Sequence, residues 1–175
     1  MKEKTVKINI IPNLFTLANL TFGFLSLVLT MNQIYNWAAG MILLSVLMDS
    51  LDGRVARRLA VSSEFGKELD SLSDLVSFGV APAVLTYQAI LSDFIGGWGL
   101  LIALLFALCG AIRLARFNLL NITDYFVGVP ITFAGGLVAF LNLFSQSIAA
   151  GIFAVLMVVL SGLMVSTLHV PKLGK

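Results

Sequence analysis

The sequence predicts an all-α membrane protein with six transmembrane helices and both termini on the cytoplasmic side. Three observations carry this expectation. The 175 residues are 59% hydrophobic and 11% charged, and their mean hydropathy is +1.00. A soluble domain of this size could not hide that much apolar surface. The apolar residues also fall into stretches of about 20, the length that spans a bilayer. Finally, all 11 Lys and Arg sit beside connections on one side of a six-pass path, which the positive-inside bias makes cytoplasmic.

Taken in order, Met1–Ile11 mixes Lys4 and Lys7 with Val6, Ile8, Ile10 and Ile11. It reads either as a short interfacial amphipathic helix or as an ordinary basic flank. Pro12 suits the first turn of the first span, Asn13–Met31. The second span is Trp37–Leu59, and Arg54, Arg57, Arg58 and Lys67 crowd the connection after it. The third and fourth, Leu69–Leu91 and Phe94–Arg116, meet near Gly96, Gly97 and Gly99, which predict a turn. Asp93 is the lone charge on that outer side, where Tyr35, Trp37 and Trp98 resemble an aromatic belt. Asn121–Phe126 is a polar cytoplasmic loop. The fifth span, Val127–Ser147, carries Gly135 and Gly136, small residues that allow close helix contact. The sixth, Ala149–Val170, is followed by Lys172 and Lys175.

No linker or repeat interrupts the chain, so one domain is expected over residues 1–175. No signal-peptide cleavage site follows the first apolar segment. Topology and anionic head groups account for the net charge of +2, and no nucleic-acid partner is expected. The lone Cys109 excludes an internal disulfide and is expected to pack. Asn19 and Asn121 open N-x-T triplets, but a mid-span and a cytoplasmic position exclude glycosylation.

Four acids stand out: Asp49, Asp52, Asp70 and Asp74. A carboxylate in a bilayer is costly and normally faces a partner, a cavity or a metal. With Asp49 at zero on a helical wheel, Asp52 falls near about 300°, Gly53 near about 40° and Ala56 near about 340°. With Asp70 at zero, Gly66 falls near about −40° and Asp74 near about +40°. Two helices joined by a short basic turn can therefore aim four carboxylates at one another. Their mutual repulsion calls for positive charge beyond Arg57. Hard oxygen donors without nearby Cys or His favour Mg²⁺, Mn²⁺ or Ca²⁺. Four acids suffice for two cations about 3.5–4 Å apart, as in two-metal phosphoryl transfer. Structural salt bridges and an ion or proton pathway are the competing readings. The first lacks enough basic partners, and the second finds only Asp93 on the outer side. Arg113 and Arg116, three residues apart, can share a helix face and suit carboxylate or phosphate recognition, with Asn118 beside them. They equally read as topological charge at the membrane border.

The pattern D-x2-D-G-x2-A-R-x8-G-x3-D-x3-D is complete here as Asp49, Asp52, Gly53, Ala56, Arg57, Gly66, Asp70 and Asp74. It resembles the signature of the CDP-alcohol phosphotransferases. The segments I-P-N-L-F-T-L-A-N-L at Ile11–Leu20, R-L-A-R-F-N at Arg113–Asn118 and F-V-G-V-P at Phe126–Pro130 make the chain most like integral-membrane phosphatidylserine synthases. Val129 stands where that family often has Leu. The resemblance implies a six-span, commonly homodimeric enzyme that moves a phosphatidyl group from CDP-diacylglycerol to L-serine and releases CMP. It implies a two-metal Mg²⁺ or Mn²⁺ site on Asp49, Asp52, Asp70 and Asp74, with Asp74 also the general base. It further implies that Asn13, Thr16, Asp52, Gly53, Ala56, Arg57, Ser63 and Gly66 contact the donor. Arg113, Arg116 and Asn118 would contact the acceptor. Another acceptor, such as glycerol 3-phosphate or an inositol phosphate, is the alternative within the class. A divalent-cation transporter is the alternative outside it.

Overall fold

A computed structural model of the chain describes residues 10–59, 63–120, 126–166 and 169–170. Six helical rods make up nearly all of it: α1 (Ile10–Met31), α2 (Tyr35–Leu59), α3 (Glu64–Ile95), α4 (Gly97–Leu120), α5 (Ile131–Asn142) and α6 (Ala150–Val165). The one extended pairing among the described residues is β1 (Phe126–Val127) antiparallel to β2 (His169–Val170). Of the expected N-terminal interfacial helix over Met1–Ile11, all but Ile10 and Ile11, which begin α1, lies outside the described residues, as does most of the Asn121–Phe126 loop.

Within this set, α1, α3 and α4 are long and apolar enough to cross a membrane. The charges of Asp49, Asp52, Arg54, Arg57 and Arg58 keep α2 below that mark. The last two rods correct the predicted boundaries. The fifth span shrinks to a 12-residue helix and the sixth to 16 residues. Pro130 starts α5, and the residues before it back to Phe126 are not helical: Phe126–Val127 is a strand and Gly128 a bend at φ +74°. Beyond Asn142 the chain tightens into successive three-residue turns, Leu143 N donating to Phe140 O and Phe144 N to Leu141 O. At the far end, Ser166 leaves the helix with ψ 156°.

Chain reversals follow from local chemistry. α1 ends with Gln33 at φ +62°. Gln33 N donates to Thr30 O at 2.9 Å and Ile34 N to Leu29 O at 2.9 Å, the paired bonds of a Schellman ending. Gly96, at φ +53°, makes the expected turn between α3 and α4. Gly99 then presses the start of α4 against Leu91, whose carbonyl oxygen would lie 2.8 Å from a Cβ there.

α3 is not uniform. It is α-helical over Glu64–Asp74, π-helical over Leu75–Val80, α-helical over Ala81–Thr86 and π-helical again over Tyr87–Leu91. Pro82 supplies a physical cause for the first widening. It has no N–H to give the Phe78 carbonyl four residues earlier. That carbonyl turns toward Gly135 of α5 instead, and the two backbones close to direct contact, as the paired glycines of the fifth span predict. The core is built here from Phe78, Ala81, Leu85, Phe106, Ile131 and Val138, all fully buried or nearly so. Cys109 is a free, half-buried thiol packed against it. The large aliphatic side chains of α1 and α4 on the opposite faces are exposed, as lipid-facing surfaces are.

Candidate active site

The four aspartates converge. Asp49 and Asp52 come from the last turns of α2, Asp70 and Asp74 from the first turns of α3. One carboxylate oxygen from each of Asp49, Asp70 and Asp74 lies within 4.8 Å of the others. Asp52 stands beside this trio, close enough to Asp49 and Asp70 to act on them electrostatically. Asp52 and Asp74 are buried, and Asp49 and Asp70 half-buried. Oδ1 of Asp70 is buried and has no hydrogen-bond partner. Like charges packed this closely are unfavourable unless a cation joins them. An all-carboxylate set with an unused buried oxygen fits a hard divalent ion, and Asp49, Asp70 and Asp74 could hold one.

α1 closes one flank of the cluster. The Thr16 hydroxyl donates to Asp52 Oδ2 at 3.3 Å. Asn19 Nδ2 donates to Asp74 Oδ1 at 3.0 Å. Asn13, also buried, faces the start of α3, where its Oδ1 would sit 3.1 Å from a Cβ on Gly66. Ser63 Oγ accepts from Gly66 N at 2.9 Å, so this serine caps α3. Asn13, Ser63 and Gly66 therefore meet at one corner, with Thr16 and Asp52 linked nearby. Gly53 is different in kind: a Cβ there would meet nothing within 4 Å. The helix surface beside the acids is open at this point. The side chains of Ala56 and Arg57 lie outside the described residues.

α5 supplies a contact that the motif gives no hint of. The Thr132 hydroxyl hydrogen-bonds the Asp49 carboxylate. Asn19 and Thr132 are the two residues that sequence reasoning missed. Both were findable in principle, as polar side chains inside otherwise apolar spans.

The three candidates on α4 separate. Arg113 is buried, its Nε has no partner, and Asp74 is near enough for the two charges to interact. Arg116 instead donates from Nη1 to the Val165 carbonyl at 2.6 Å. It satisfies one of the carbonyls left open at the end of α6. Gly128, at φ +74°, lies under the same helix end, where the Met164 carbonyl would stand 2.5 Å from any Cβ. Asn118 bridges to α3 through Nδ2, donating to Ser71 Oγ at 3.0 Å and to Glu68 at 3.4 Å. Only Arg113 of the three faces the aspartates.

The acidic cluster thus lies among apolar helices, beside an open stretch of helix surface. Residues 9–166 match the model of the family described as CDP-alcohol phosphatidyltransferase, and the chain belongs to that family of transferases. It is 42% identical over 168 residues to a CDP-diacylglycerol–serine O-phosphatidyltransferase of Methanocaldococcus jannaschii, covering 95% of this chain and 76% of that one. A protein of the same name from Helicobacter pylori is 39% identical over 173 residues, covering 94% and 73%. An archaetidylserine synthase of Methanothermobacter thermautotrophicus is 40% identical over 168 residues, covering 93% and 70%.

Proposed function

We propose that this chain transfers a phosphatidyl group from CDP-diacylglycerol to L-serine, giving phosphatidylserine and CMP. The observation that carries the reading is the meeting of Asp49, Asp70 and Asp74 within 4.8 Å, in a chain 42% identical to a serine phosphatidyltransferase. Serine recurs in the relatives' names while the lipid part changes between them, which favours serine as acceptor more strongly than any one lipid as donor.

Asp49, Asp52, Asp70 and Asp74 would hold Mg²⁺ or Mn²⁺, as a pair of ions. The bound metal would neutralise the diphosphate and stabilise charge on the departing CMP. Asp74 takes the proton of the attacking serine hydroxyl. The open surface at Gly53 receives the cytidine, and Asn13, Thr16, Ser63, Gly66, Ala56 and Arg57 frame the nucleotide and diphosphate. Acyl chains stay in lipid while the head group enters among the carboxylates, which accounts for an acidic site inside apolar helices. Residues 1–175 act as one catalytic unit, a homodimer in the cell membrane with the site open to the cytoplasm.

Arg113 binds the serine carboxylate, since it is a buried cation within electrostatic reach of Asp74 and its Nε has no partner. Arg116 and Asn118 hold the helix ends around it. Replacing Arg113 by Gln should raise KM for serine about 10- to 100-fold, the worth of a charge-assisted hydrogen bond. KM for CDP-diacylglycerol should move little. An unchanged KM for serine removes Arg113 from the acceptor site.

The function is tested by following CMP release from CDP-diacylglycerol in the purified, detergent-solubilised protein. Serine, glycerol 3-phosphate and an inositol phosphate are offered in turn, with Mg²⁺, with Mn²⁺ or with EDTA. CMP should appear with serine, vanish with EDTA and return when metal is restored. CMP with glycerol 3-phosphate but never with serine would move the chain to another acceptor. Divalent-cation uptake into vesicles without any CMP would make it a transporter.

A further inference from the structure

We propose that Asn19 is a positioning residue, which fixes the Asp74 carboxylate in the orientation that proton transfer requires. The proposal rests on the reading of Asp74 as the base. Asn19 lies mid-way along α1, is 0% exposed, and donates from Nδ2 to Asp74 Oδ1 at 3.0 Å. Its own backbone is held from both acid-bearing helices. Ser45 Oγ of α2 donates to the Asn19 carbonyl at 3.1 Å, and Ser77 Oγ of α3 donates to the same oxygen at 3.0 Å. One turn further on, Gly23 lets α1 close on α3, since a Cβ there would stand 2.9 Å from Ser77 Cα. The amide therefore reaches Asp74 from a point fixed relative to α2 and α3 together.

Two features argue against a merely structural asparagine. Its Oδ1 is buried without a partner. An apolar side chain would leave no unpaired oxygen, so the site carries a cost that packing alone does not explain. The donor is also neutral. A Lys or Arg at this position would hold Asp74 equally well but would weaken it as a proton acceptor. An amide sets the plane of the carboxylate by holding Oδ1.

Asn142 is a built-in control. It is also a buried asparagine with an unpartnered Oδ1, donating to Thr86 Oγ1 at 2.9 Å. Thr86 follows Asp74 by twelve residues on α3, which places it about three turns farther along the helix. Asn19→Leu and Asn142→Leu are compared with the unsubstituted protein in the CMP-release assay, alongside thermal unfolding. Asn19→Leu should lose about 10- to 100-fold in kcat, the usual effect of removing the partner of a reactive carboxylate. Its KM values should be close to those of the parent, and its melting temperature should fall no further than that of Asn142→Leu. Asn142→Leu should leave kcat intact. Parental kcat in Asn19→Leu overturns the proposal, and so does an equal loss of kcat in both variants. If Asn19→Leu does not fold, Asn19→Ala, which removes the donor and adds no charge or bulk, is read by the same criteria. Failure of both to fold makes Asn19 structural and overturns the proposal. An unsubstituted protein that releases no CMP with serine rejects the underlying function instead, and the two failures are thus distinct.

Discussion

Replacing Asp74 by Asn is expected to lower kcat for serine-dependent CMP release by about 10²–10⁴-fold, the contribution of a positioned general base. The fold should survive. Asn is nearly isosteric with Asp, and its carbonyl oxygen can still accept from Asn19 Nδ2 in the place of Oδ1. What it loses is the ability to take a proton and one anionic donor of the Asp49–Asp70–Asp74 trio. Stability should move the other way from activity. Removing one of four crowded negative charges relieves repulsion that Arg113 offsets only in part, so in EDTA the variant should melt at or above the temperature of the parent. On adding Mn²⁺ or Mg²⁺ the parent should gain more, because binding to the folded state alone stabilises it. The order of melting temperatures should then narrow or reverse. A kcat within tenfold of the parent rules out Asp74 as the base. A parent whose melting is indifferent to both metals argues against the carboxylates as ligands.

The acidic cluster was legible from sequence because its parts are local. Asp49 and Asp52 are one turn apart on one helix, Asp70 and Asp74 one turn apart on the next, and the connection between them is short. Helical periodicity then leaves the carboxylates little choice but to face one another. The proximity of Asn13, Ser63 and Gly66 was legible for another reason: resemblance grouped these residues, and they do meet. Asn19 and Thr132 were hidden because α1 and α5 bring them in from afar, and their packing obeys no spacing rule. The same cause explains the missed helix ends. Hydropathy runs unbroken through Val127–Ser147, but Pro130 fixes where α5 begins. Arg116, from a distant helix, closes α6 at Val165. Arg116 itself looked like an acceptor ligand because its donors suit a carboxylate. A bare helix-end carbonyl uses those donors just as well.

Leucine substituted for either of two glycines should produce opposite phenotypes, and the contrast tests whether the open surface beside the acids is a substrate surface. At Gly135 an added Cβ would stand 2.7 Å from Phe78 Cα, in contact with backbone rather than with a movable side-chain tip. α5 must then back away from the π-helical stretch of α3, where Phe78 is fully buried. Overpacking of this kind costs about 1–3 kcal/mol and sometimes more, and the displaced α5 also carries Thr132 away from Asp49. Gly135→Leu should therefore melt many degrees lower and lose activity through its structure. At Gly53 the new Cβ meets nothing within 4 Å. Leucine there gains up to about 0.8 kcal/mol of helix propensity over glycine. Gly53→Leu should accordingly melt at or above the parent temperature. Yet if cytidine lies against this helix face, the side chain occupies its place, and KM for CDP-diacylglycerol should rise by more than about tenfold, a loss of 1.4 kcal/mol or more in donor binding. Stable but starved of donor is an outcome that a purely structural glycine cannot give. A Gly53→Leu protein with parental KM would mean that the nucleotide lies elsewhere, and the room beside Asp52 would then be nothing more than a gap between helices.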